Sequence, residues 1–190
     1  MTRTRYVQTG AAVAGVVLVA WTASRVLERV VSPAPGPSTA PAAATPAPGV
    51  PHIIATLYYV NADGQTLAAV KREVPLADGV RAQGRQILDS QLAGAPPPYV
   101  SATPAGTTLR AFYVTDRGDA FVDLSPEVST AHPGGSTTEL LTVYAIVNAV
   151  TANLSSVQRV QILIDGKAAD TLAGHVDLRR PFERGLSTIP

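Results

Sequence analysis

Gly134–Lys167, GGSTTELLTVYAIVNAVTANLSSVQRVQILIDGK, holds a helix signal, a strand signal and a turn in succession. Ser136 and Glu139 stand three apart, the spacing of a capping box, and they open a segment in which Leu140, Val143, Tyr144, Val147, Val150 and Leu154 recur at helical intervals. Val160–Ile164 then reads as a buried strand, and Asp165–Gly166 supplies the residues that a tight turn needs. Ala168–Leu172 is expected to return beside that strand.

Upstream, Leu109–Thr115 and Ala120–Leu124 flank Asp116, Arg117, Gly118 and Asp119, which predicts a hairpin. A proline-rich loop, GAPPPYVSATPAGT (94–107), precedes it. Before the loop, Val80, Gly84, Ile87, Leu88, Gln91 and Leu92 form a narrow apolar stripe, with Asp78 as a candidate N-cap and Gly94 as the stop. The β-branched and aromatic run Ile53–Val60 and the stretch Leu67–Val74 read as another hairpin around Asn61, Asp63 and Gly64. The order of strand pair, helix, strand pair, helix, strand pair predicts an α+β two-layer sandwich. Its sheet would be mainly antiparallel, of about five or six strands, with two helices on one face. Leu57, Tyr59, Phe112, Val114, Phe121, Ile162 and Ile164 are the candidate core.

The N-terminal part is of another kind. Nineteen uncharged residues separate Arg5 from Arg25, and as a helix they would reach about 28 Å, close to the hydrocarbon thickness of a bilayer. Residues 1–31 therefore read as a transmembrane signal anchor, preferred over a cleaved signal because Trp21 and Arg25 spoil the small-residue cleavage pattern. Residues 32–52, rich in Pro and Ala and uncharged except for a terminal histidine, form a linker that cannot build a helix or a sheet ladder. The five-residue tail before the apolar run is the usual form of an anchor whose long C-terminal part is exported. The expected location of residues 53–190 is outside the cytoplasm, tethered by a single pass.

Charge and motif patterns narrow the function classes. Removing the four Arg and one Glu of the anchor region leaves 11 basic and 13 acidic residues, with no basic cluster for a nucleic acid. The chain has no Cys, which removes thiolate zinc sites, disulfides and a lipid-acceptor residue. His132 lies between Asp123/Ser125 and Ser136, so a Ser-His-Asp hydrolase set is conceivable, but a nucleophile elbow is missing. His52 belongs to the end of the linker, and His175 near Asp177 has no second His at ligand spacing. Gly134–Thr137 lacks the lysine of a phosphate loop, and Asp116, Asp119 and Asp123 do not match calcium-loop spacing. The expectation is a protein without catalytic, cofactor-binding or metal-binding residues.

Taken in order, ATLYYVNADGQTLAAVKREV (55–74) with Arg72, ILDSQLAGAPP (87–97), Pro104–Thr107, AFVDLSPE (120–127), the 134–167 run and Leu172–Gly174 resemble the GerMN domain family of sporulation and spore germination proteins. The resemblance covers most of residues 53–182. It implies an exported, membrane-attached module without a known catalytic site, acting through protein contacts in envelope or spore processes. Some relatives are lipoproteins, some carry two copies, and related small α/β modules assemble into rings. This chain differs in holding one copy and no lipid-acceptor Cys. Arg72, a strand guanidinium, is expected to pair with a carboxylate such as Glu139, or with one on a partner. The expected partners are the membrane, through the N-terminal helix, and envelope proteins or a second copy of the chain.

Overall fold

The computed structural model describes residues 49–185. The anchor and most of the linker lie outside the described residues, and His52 is already the first residue of a strand.

The domain is α+β. Strands β1 (His52–Val60) and β2 (Leu67–Pro75) form an antiparallel hairpin, followed by helix α1 (Val80–Leu92). Strands β3 (Leu109–Val114) and β4 (Asp119–Leu124) pair antiparallel, and the short helix α2 (Glu127–Thr130) and the long helix α3 (Ser136–Asn153) lead to β5 (Arg159–Ile164). The last strand, β6, is Phe182–Glu183.

Six strands match the expected number, but they are divided between a two-stranded sheet, β1-β2, and a four-stranded sheet, β3-β4-β5-β6. The β4–β5 pair is parallel, so the chain must cross over between them, and α3 is the crossover helix. The partner of β5 is β6 rather than the predicted Ala168–Leu172. After Asp165 (φ 54°) and Gly166 (φ 76°), Lys167 closes the two-residue turn on Ile164. The strand pairing stops there.

The hairpin stays separate because the free edge of β1 is already occupied. Thr56 N–H donates to Asn153 Oδ1 and Thr56 C=O accepts from Asn153 Nδ2, both at 2.8 Å. Two residues on, Gln91 does the same for Tyr58 at 2.9 and 2.6 Å. Two further on, Val60 exchanges both backbone bonds with Val100 at 2.9 Å. Helix amides and one loop residue thus stand in for a neighbouring strand, satisfying groups that would be costly to bury unpaired.

Helix α3 packs against both β1 and β5. It is buried on nearly every side, and Glu139 is its one charged residue. Leu57, Tyr59, Phe112 and Ile162 of the expected core are fully buried. Val114 and Ile164, at the ends of β3 and β5, are partly buried against the core, whereas Phe121 is half-buried because Ala120, Val122 and Leu124 are the core-facing positions of β4. One position of parity separates the two readings of that strand.

Both helix starts differ from the expected caps. Gly79, not Asp78, is the N-cap of α1, and Gln83 reaches back to accept from Ala77 N–H (2.8 Å) and donate to Pro75 C=O (3.1 Å). Gly135, not Ser136, is the N-cap of α3, and Glu139 turns away from the helix end.

Candidate functional site

The residues that sequence reasoning weighed as a hydrolase set are not brought together. Asp123 Oδ1 accepts Gly166 N–H at 2.7 Å, and its Oδ2 lies 3.3 Å from Arg110 Nε. Arg110, at a β-bulge in β3, also reaches Asp165 Oδ1 at 2.5 Å. The Asp-Leu-Ser stretch thus ties the end of β4 to the β5 turn. Ser125 Oγ accepts Thr108 N–H at 3.0 Å, which pins the loop before β3 to the end of β4. Ser136 is the first residue of α3 and makes no cap bond. Each of these bonded polar groups holds the chain's own backbone.

Glu139 is a buried carboxylate surrounded by donors of the chain itself. Its side chain is fully buried, and Oε2 accepts backbone N–H groups from Ala173 (3.1 Å), His175 (3.1 Å) and Val176 (2.9 Å). Oε1 lies 2.7 Å from His175 Nδ1, whose side chain is half exposed. Burial pushes the Glu139 carboxyl upward, but the bonds from Val176, His175 and Ala173 outweigh it and hold the pKa at about 2. A capping-box reading missed this role. The available signal was a single carboxylate in an otherwise uncharged helix.

His175 is therefore an oriented histidine, with Nδ1 committed to Glu139. Neighbouring Asp177 is held by Arg179, whose Nε and Nη2 lie 2.9 and 2.7 Å from its oxygens. Among the described residues, no three His, Cys, Asp or Glu side chains gather where a metal ion could be held. Arg72 does not pair with Glu139, whose oxygens face the 173–176 loop. It stands beside the fully buried Tyr59, whose hydroxyl makes no hydrogen bond within the described residues. Burial raises the pKa of that phenol, and the Arg72 charge pulls against it.

The third histidine lines a cleft of about 290 Å³ between the 60–64 turn, the 100–104 loop and the entry to α3. Val60, Val100, Pro104, Pro133 and Leu141 make its wall largely apolar. His132 Nδ1 accepts Gly134 N–H at 3.0 Å, and Nε2 lies 3.0 Å from Thr142 Oγ1. Burial holds the imidazole below its ordinary pKa, and the Glu139 carboxylate opposes this. Among the described residues, no helix is long and apolar enough to cross a membrane.

Comparisons with known proteins bear on this arrangement. The model of the Germane family, described as sporulation and spore germination, matches residues 56–170. A candidate lipoprotein from Clostridium perfringens is similar in structure, with a TM-score of 0.51 and 25% identity, over 70% of this chain and 88% of that one. The first GerMN domain of the Bacillus subtilis sporulation protein GerM superposes with a TM-score of 0.52 at 21% identity, over 70% of this chain and 96% of that domain. The tandem GerMN domains of the same protein superpose at 0.53 and 18% identity, over 72% of this chain and 46% of that one. This chain spans about half of the tandem. At these identities the two GerM likenesses speak for the fold. Among curated proteins none matches.

Proposed function

The chain belongs to the Germane family of sporulation and spore germination, and from that premise we propose that it is a membrane-anchored extracytoplasmic module. In this reading it acts through protein contacts in cell-envelope or sporulation and germination processes and carries out no chemistry of its own. Residues 1–31 hold it in the membrane, residues 32–52 keep it clear of the surface, and envelope proteins or further copies of the chain are its partners. The likeness to a candidate lipoprotein supports attachment to a membrane from outside the cytoplasm.

The observation that carries the reading is how the polar side chains are used. Asp123, Ser125, Gln91, Asn153 and Glu139 each bond backbone groups of the domain itself, and the further side-chain partners of Asp123 and Glu139 are Arg110 and His175. A catalytic constellation needs a nucleophile within reach of its base, and a structural one needs satisfied partners. These side chains fit the second description.

The cleft beside His132 favours a second reading, a small-ligand or cell-wall binding or cleaving domain. Alanine at His132, Asp123 and Ser125 in the purified full chain separates the two. An interaction module shows no turnover of cell-wall fragments before or after these changes, only lowered stability. Wall-cleaving activity that the changes abolish would overturn the proposal.

A further inference from the structure

The polar bonds around His132 form a path between opposite walls of the cleft. Gly134 N–H donates to Nδ1, so that nitrogen carries a lone pair and the neutral ring holds its proton on Nε2. Nε2–H then donates to Thr142 Oγ1. The Thr142 hydroxyl proton is directed to the Ala102 carbonyl on the facing loop, with the Thr138 carbonyl 3.1 Å away. One neutral imidazole thereby joins Gly134 at the entry of α3 to Thr142, whose hydroxyl holds the 100–104 loop. On the entry side it holds Gly134, which with Gly135 has φ of 79° and 94° and whose carbonyl, like that of Gly135, accepts from Thr138 Oγ1.

We propose that His132 is a pH-sensitive latch on this cleft: protonation at Nδ1 sets two donors face to face, releases Gly134 and so detaches the entry loop of α3 from the His132–Thr142–Ala102 chain of bonds. The geometry fixes the sign. The closed form accepts at Nδ1 and so excludes the imidazolium, whereas an opened loop leaves the ring in water with its ordinary affinity for protons. The open population therefore grows as pH falls below about 6.5. Burial of the ring, which disfavours its charged form, acts in the same direction.

The surrounding charges are few. Glu139 on α3 acts on the ring and favours its protonation, but its oxygens are held by residues 173–176. Asp63 in the 61–66 turn is engaged by Gln65 N–H and Thr66, and Glu127 on α2 is exposed. The 100–104 and 133–138 segments carry no titratable side chain.

The test is hydrogen exchange on the full chain, reading peptides that span residues 132–141 and correcting for the intrinsic pH dependence. Wild type should lose roughly tenfold of its protection there between about pH 7.5 and pH 5, the scale of one hydrogen bond. His132→Asn keeps a side-chain acceptor for Gly134 but cannot titrate, so its corrected protection should stay flat. Equal loss in both proteins, or no loss in wild type, overturns the latch. Should His132→Asn fail to fold, wild-type NMR decides: the Gly134 amide shift and the His132 ring must share one midpoint, and separate midpoints overturn the proposal.

Discussion

His175 Nδ1 lies 2.7 Å from Glu139 Oε1 and joins three backbone N–H groups of residues 173–176 around one buried carboxylate. That carboxylate anchors the loop between β5 and β6 to the first turn of α3, in place of an intrahelical cap.

Glu139→Gln keeps the shape but removes the charge: its carbonyl oxygen can face the three backbone N–H groups, which turns the amide donor toward His175 Nδ1. A loss of about 3 kcal/mol is expected, as for other hydrogen-bonded charges whose partners stay buried. The pH dependence comes from the lowered pKa. Folded Glu139 titrates at about 2 against an ordinary value of 4.5, so its contribution is complete above the unfolded value and is lost as pH falls toward the folded one. Thermal melts of wild type should steepen downward across that window. Those of Glu139→Gln should be flatter there, and an identical acid limb in both would rule out this role for Glu139.

Gln91 is 1% exposed and serves both backbone groups of Tyr58. Gln91→Ala leaves a buried donor and acceptor unpaired, and urea unfolding should show a loss of about 2 to 3 kcal/mol. A loss below about 0.5 kcal/mol would mean that water replaces the amide and that Gln91 does not hold the edge of β1.

Gly84 sits directly beneath Phe112, and a Cβ there would lie 2.1 Å from Phe112 Cε1. Gly84→Ala gains about 1 kcal/mol of helix propensity but forces α1 away from β3, so a net loss of about 1 to 3 kcal/mol is expected. Combining it with Phe112→Leu should cost less than the two single changes added together. Chemical denaturation of the four proteins measures that coupling.

Asp123 has a nearly buried side chain, while that of Arg110 is 46% exposed. Asp123→Ala should cost about 2 kcal/mol, because Gly166 N–H loses its acceptor. Arg110→Ala should cost under about 1 kcal/mol, as for a solvent-screened pair. A double-mutant cycle on unfolding free energies tests the ranking, and the reverse order would contradict it.

Periodicity made the elements readable. Leu140, Val143, Val147 and Val150 announced α3, and the β-branched run at 53–60 announced β1. The grouping of strands was less accessible, because it depends on Asn153 and Gln91 capping the edge of β1, and an amide on an apolar stripe reads the same whether it faces water or a backbone. Parity misled at Phe121, where aromatic bulk outweighed the alternation of Ala120, Val122 and Leu124. The capping-box motif around Ser136 and Glu139 matched in spacing while the backbone chose Gly135, whose positive φ no motif reports. The site was least legible of all. Glu139 and His175 are 36 residues apart in sequence, and only the fold of the 165–181 loop unites them.

In the proposed function this domain works by contact outside the cytoplasm. Photo-cross-linking in intact cells captures such contacts, with the reactive group placed in turn at exposed positions such as Ile54, Val100 and Tyr113 of the full chain. Adducts with an envelope protein or with a second copy, formed on the outer side of the membrane, are the predicted result. Absence of any adduct, together with cell-wall turnover by the purified protein that Glu139→Gln or His175→Ala abolishes, would contradict it.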